Sequence, residues 1–256
     1  MKITATIITL NEAGNISDAI ESVEWADEIL VVDSESTDAT RDLAERCGAH
    51  VIVNPWPGFS KQKQFAADSA SNDWIFSLDA DERVSQELRS SIDELRTKDA
   101  SQLAGGYRVA RRAYYMGRWI RGGGWYPDYQ LRLFNRRSGH WGDRIIHESV
   151  VMNEDARVET LRGDLLHYSM SDPAHHRRMI DERYAPLGAA QMHREGKRTS
   201  HLQLAVAGPL AFLRSFVLKG GFRDGQAGYT IARLAAHHAS RKHALLYDLQ
   251  RSSSNP

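Results

Sequence analysis

The sequence holds one cysteine, Cys47, among 256 residues. A lone thiol excludes an intramolecular disulfide framework and fits a reducing compartment. Net charge is also missing, since 33 Lys and Arg offset 33 Asp and Glu. That balance excludes a nucleic-acid binder driven by overall charge, so no nucleic-acid partner is expected. No window reaches about 18 uninterrupted apolar residues, so no bilayer-spanning helix is expected. The opening MKITATIITLNEA lacks the apolar run and small-residue cleavage site of a secretory leader, and none is expected. Internal repeats and long linkers are absent as well. What remains, 41% apolar residues over this length, is enough for a core that needs no staples.

The neutral total conceals a strong asymmetry. Residues 1–100 carry twenty acids and nine bases. Residues 107–146 carry nine arginines, no lysine, and only Asp128 and Asp143 as acids. Nine aromatic residues fall in the same stretch, Trp119, Trp125 and Trp141 among them. Guanidinium groups bind phosphate and carboxylate bidentately, and aromatic faces stack on rings. The stretch therefore reads either as a wall of a site for an anionic, ring-containing ligand or as a solvated basic face over ordinary core aromatics.

The first hundred residues alternate strand and helix. Strands are expected at Ile3–Leu10, Glu28–Asp33, His50–Val53 and Trp74–Leu78. Helices capped by Asn15, by Ser36 or Thr37, by Ser60 and by Ser85 should lie between and after them. Short apolar strands separated by helices of about ten residues indicate βαβ units and a doubly covered, largely parallel sheet. Ligands in such sheets bind outside the carboxyl ends of the strands. Polar groups stand at three such ends: Asn11-Glu12, Asp33-Ser34 and Asp79-Ala80-Asp81. Two carboxylates as close as Asp79 and Asp81 repel unless a cation or donor lies between them. Mg²⁺ or Mn²⁺ would resolve the conflict, filling its sphere with phosphate oxygens and water. A solvated acidic loop is the plain alternative. Lys61 and Lys63, on the first turns of a helix, could meet a phosphate or simply face solvent.

The series TIITLNEA, VVDSESTDAT, KQKQFA and SLDADER resembles the nucleotide-sugar half of glycosyltransferase family 2, with the GT-A fold. The later run YPDYQLRLFNR, HWGDRIIHESV and LLHYS is similar to the branch of lipopolysaccharide-core heptose β-1,4-glucosyltransferases. The resemblance implies a Rossmann-like mixed α/β sheet covered by helices, with a C-terminal helical extension. It implies a catalytic domain over 1–170, split into a nucleotide-sugar half (1–100) and an acceptor half (101–170), and an extension over 171–256. It implies an inverting, metal-dependent transferase moving a hexose, glucose from UDP-glucose, onto a heptose of the inner core. Thr9, Leu10, Asn11, Glu12, Asp33 and Ser34 would hold the nucleoside, with Asp33 on the uracil edge. Lys63 would face the donor, and Asp79 the ribose or the metal. Asp81 and His167 would bind Mn²⁺ or Mg²⁺, imidazole favouring Mn²⁺. Arg132, beside Gln130, could meet the diphosphate or the acceptor, or serve the structure alone. The base would be Glu148, with His147 and Asp143 as alternatives. Many family members carry a Glu-Asp pair where this chain has His147-Glu148.

Beyond His167 the chain should be helical. The run LQLAVAGPLAFLRSFVLKGGF is apolar, interrupted by Gly208, Pro209 and Arg214, and flanked by bases. It suits a helix on a membrane surface or one packed on the catalytic domain. With a lipid-linked acceptor, attachment to the inner face of the bacterial cytoplasmic membrane is expected. Rival readings are a family-2 enzyme with another nucleotide-sugar donor or a polyprenyl-phosphate acceptor, and a non-catalytic nucleotide-sugar-binding subunit.

Overall fold

A computed structural model describes residues 1–142, 149–168 and 172–252. The chain divides into two compact units. One comprises Met1–Arg111 and Asp128–His167; the other comprises Arg112–Pro127 and the chain from Tyr168 onward.

The first unit is built around β1 (Ile3–Thr9), whose seven residues are all buried. Such a strand must be paired on both edges and covered on both faces. Parallel partners flank it: β2 (Glu28–Asp33) on one side and β4 (Trp74–Asp79) on the other, with β3 (His50–Val53) beyond β2. The pleat sends alternate residues to opposite faces. Ile3, Ala5 and Ile7 pack with Ile16 and Ile20 of α1 (Ile16–Glu21) and with Leu88, Ile92 and Leu95 of α4 (Gln86–Arg96). Ile8, with Leu30 and Val32, meets Ala66 of α3 (Phe59–Ser69). α2 (Thr40–Arg46) lies between β2 and β3 in the chain.

The rest of this sheet is antiparallel. β8 (Asp128–Asn135) pairs with β4 and with β6 (Gly106–Tyr115), and β11 (Val158–His167) carries the short β5 (Glu82–Val84) at the far edge. The mixed α/β sheet covered by helices that was expected from the sequence is thus the one the chain adopts. A separate ladder joins β9 (Gly139–Trp141) to β10 (Val150–Met152). In the β11–β5 pairing, His167 stands opposite Glu82, which brings it beside Asp81.

The expected caps need correction. Ser85 does cap α4, accepting from Leu88 N. Asn15 makes no cap bond and instead donates to Glu12. Ser36 and Thr37 bond to Asp33 and Asn11, so α2 starts later, at Thr40. Ser60 lies inside α3, which follows Gly58 at φ +104°. In two of these cases the side chain that would cap bonds a neighbouring loop instead.

In the second unit, β7 (Arg118–Trp119) pairs with the end of β6. The helices α5 (Pro173–Met179), α6 (Ala185–Arg194), α7 (His201–Leu213) and α8 (Gly225–Ser252) follow. Tyr115 and Ile120 pack with Ala227 and Ile231, and Ile180 and Ala185 with Leu234. As expected the apolar run is helical, and α7 passes through Gly208 and Pro209 without a break. At Gly208 the helix meets α8 so closely that a Cβ would lie 2.4 Å from Ser240 Oγ. Helical residues His201–Leu218, with Arg214 among them, are long and apolar enough to cross a membrane by length and composition alone.

Candidate active site

The register Thr9↔Asp33 and Ile8↔Asp79 places the loops after β1, β2 and β4 on one edge of the parallel sheet. Glu12, Asp33 and Asp81 therefore share the carboxyl rim, where such sheets bind ligands.

The first two loops are stitched together. Asn11 N donates to Ser36 Oγ at 2.8 Å, and Glu12 N to Thr40 Oγ1 at 2.8 Å. Asn11, held at φ +55°, accepts from Thr37 N through Oδ1 at 2.9 Å. Asp33 is 0% exposed and accepts from Ser36 N at 2.8 Å and Ser36 Oγ at 2.5 Å. Its carboxylate thus fixes the loop from inside. Ser34 donates through N to Thr9 O and accepts from Gln62 Nε2 at 3.0 Å. The Thr9 hydroxyl is buried and bonds nothing among the described residues, whereas Leu10 is exposed at the rim. Glu12 accepts from Asn15 Nδ2 at 2.7 Å.

The third loop is a charge network. Asp79 meets Lys63 Nζ at 2.9 Å through Oδ1 and Arg132 Nη2 at 3.0 Å through Oδ2. The same Nη2 donates to Glu82 Oε1 at 2.7 Å. Glu82 Oε2 accepts from Asp79 N at 3.0 Å, and Arg111 stands 3.6 Å from Oε1. Arg111 in turn grips Asp128 at 2.7 Å, and Gln130 donates to Asp128 at 2.8 Å. Burial pushes the Asp79 carboxyl up, but Lys63 and Arg132 outweigh it and hold the group well below the usual carboxylate range. Burial also pushes Glu82 up; Arg132 opposes this, the Asp79 charge adds to it, and the net direction is upward.

The expected repulsion between Asp79 and Asp81 is thus relieved on the Asp79 side by the protein's own cations. Lys63 reaches from α3 and is itself buried, with Trp141 under its ammonium at 5.0 Å to the ring centre. Asp81 faces His167 instead, with Nε2 to Oδ2 at 3.3 Å. Both side chains are partly exposed. This pair offers one hard carboxylate and one imidazole, a donor set that fits Mn²⁺ and leaves the remaining positions for phosphate oxygens and water. Among the described residues no group of three or more His, Cys, Asp or Glu gathers to hold a metal. Glu148, His147 and Asp143 lie outside the described residues.

Glu82 and Arg111 escaped the sequence reasoning. Glu82 reads as one more acid in a polar DADER turn, and only the β5–β11 pairing turns it inward.

Comparison with known proteins decides the family. The family model described as "Glycosyl transferase family 2" matches residues 4–157. The chain belongs to glycosyltransferase family 2. The transferase is 33% identical over 271 residues to the lipopolysaccharide core biosynthesis glycosyltransferase LpsC of Rhizobium meliloti (strain 1021), covering 100% of this chain and 96% of LpsC. It is also 33% identical over 274 residues to an uncharacterized glycosyltransferase of Rickettsia prowazekii (strain Madrid E), covering 99% of this chain and 89% of that protein. Among solved structures, glucosyl-3-phosphoglycerate synthase from Mycobacterium tuberculosis, in complex with Mn²⁺, UDP and glucosyl-3-phosphoglycerate, aligns at 24% identity and a TM-score of 0.35. That alignment covers 45% of this chain and 44% of the synthase.

Proposed function

We propose that the transferase is an inverting, metal-dependent enzyme that moves glucose from UDP-glucose onto a heptose of the lipopolysaccharide inner core. The observation that carries this reading is the Asp81–His167 pair on the same sheet rim as the loops of Asn11, Glu12 and Asp33. Full-length similarity to LpsC supports the acceptor class.

In this reading Asp81 and His167 hold the cation, which when bound offsets the charge of the departing diphosphate. Asp79, anchored by Lys63 and Arg132, directs a fixed carboxylate edge at the donor ribose. Asp33 acts on uracil by holding the Ser36 and Asn11 loops in place. Glu148, with His147 and Asp143 as alternatives, takes the acceptor hydroxyl proton. A carboxylate suits that task when it lies opposite the leaving group.

A panel of UDP-, CDP- and GDP-sugars, tested by thermal shift with and without Mn²⁺, separates this donor from others. A single-turnover assay with heptose-containing and polyprenyl-phosphate acceptors separates the acceptor classes. Donor binding without any transfer would mark a non-catalytic nucleotide-sugar-binding subunit.

A further inference from the structure

α7 and the helical turn after it leave one face uncovered. Leu202, Val206, Leu210, Leu213 and Val217 recur at i, i+4, i+8, i+11 and i+15, a single stripe of a helix. Leu202 is 72% exposed, Leu210 58% and the neighbouring Leu218 77%. Only 11% of His201–Leu218 is buried. The opposite side is occupied, because Gly208 brings the helix against Ser240 and Ala236 of α8. Contiguous leucines of this kind are rarely left in water and mark an interaction surface.

The charges beside the stripe say what covers it. From His201 to Arg223 there is no acid, while Arg214, Lys219 and Arg223 are exposed. None of the three makes an ion pair among the described residues. Phe212, Phe216 and Tyr229 cluster beside them, Phe212 and Phe216 stacked at 5.4 Å, with Tyr229 exposed. Apolar stripe, amphipathic ring and unpaired cations are the three parts of an interfacial membrane helix. A second copy of the chain would bring the same cations and no acid to meet them.

We propose that the Leu202–Leu218 stripe docks in the plane of an anionic phospholipid surface, the apolar side chains entering the acyl boundary and Arg214, Lys219 and Arg223 meeting headgroup phosphates. Because the other face packs on α8, the helix lies in the interface rather than crossing it. This holds whatever sugar is transferred.

Co-sedimentation with phosphatidylcholine vesicles, with and without phosphatidylglycerol, tests it on the full chain. Retention is expected only with phosphatidylglycerol and should fall as salt rises. Leu210→Ser with Leu213→Ser, and separately Arg214→Glu with Arg223→Glu, should each weaken retention on the order of tenfold or more. Circular dichroism and the UDP-glucose thermal shift of both variants should match the parent, since all four residues are surface-exposed. That pairing keeps this test separate from the donor assignment, because vesicle binding needs no nucleotide. Absent or phosphatidylglycerol-independent binding, variants that bind like the parent, or retention that survives carbonate extraction would each overturn the proposal. So would light scattering showing a dimer that the leucine variant dissociates.

Discussion

Arg132 stands between Asp79 and Glu82 with almost no contact with water, and its Nη2 serves both carboxylates. Removing one partner of a buried ionic cluster leaves uncompensated charge and typically costs about 3–5 kcal/mol. Arg132→Met is expected to lose stability on that scale in denaturant unfolding, and Arg132→Lys somewhat less, because the ammonium keeps the compensating charge beside the two acids. Asp81→Asn should behave oppositely. Among the described residues Asp81 pairs with the partly exposed His167, so folding should change by less than about 1 kcal/mol, while Mn²⁺-dependent nucleotide binding should vanish in calorimetric titration. The distinction between the two acids was only half legible in the sequence. The Asp-Ala-Asp spacing announces a charge conflict, and a conflict demands a cation. That the cation at Asp79 is Lys63, sixteen positions upstream on another element, and Arg132 on an antiparallel strand follows only from tertiary packing.

Among the elements, β11 shows how tightly α4 is seated. Gly163 has φ +88°, and a Cβ there would sit 2.2 Å from the backbone N of Leu88. Gly163→Ala therefore meets both left-handed strain and a backbone clash. A drop in thermal midpoint corresponding to several kcal/mol is expected, since α4 must leave the sheet to make room. The parallel half was readable because β1 and β2 are short, β-branched runs and β4 a short apolar and aromatic one, each a pattern that suits a buried strand. The start of α1 was readable too, with Asn15 at the N-cap position; the starts of α2 and α3 were not, since Ser36 bonds Asp33 and Ser60 lies inside its helix. The order β4-β8-β6-β11-β5 was illegible for a different reason. Antiparallel pairing over such sequence distances depends on which edges remain free after the parallel half has formed.

For the molecule as a whole, a buried histidine in the helical unit sets a pH dependence of stability. In the helical unit His176 is buried against Tyr115 and Trp125, with ring centres 5.8 and 5.4 Å away. Burial, reinforced by repulsion from the neighbouring His238 and His175 imidazoles, lowers its pKa from 6.5 to about 4. Burial pushes the Tyr115 hydroxyl up to about 12. Between pH 6.5 and about 4 the unfolded chain binds the His176 proton and the folded chain does not. Stability from this group is therefore complete above 6.5 and is lost as pH falls, by about 3 kcal/mol across the window. His176→Phe should retain the ring packing and flatten the stability–pH slope in that window relative to the parent; parallel slopes for the two proteins would contradict it.

The proposed function needs a cation between Asp81 and His167, at the rim where the loops of Asn11, Glu12 and Asp33 meet. Thermal unfolding with UDP-glucose, with and without Mn²⁺, tests this most directly, using Asp81→Asn in parallel. A ligand at a hundredfold excess over its Kd stabilises the native state by about 2.7 kcal/mol. The parent should show that rise with Mn²⁺ and far less without it, and Asp81→Asn should show none. An equal rise without metal, or an undiminished rise in Asp81→Asn, would contradict the assignment.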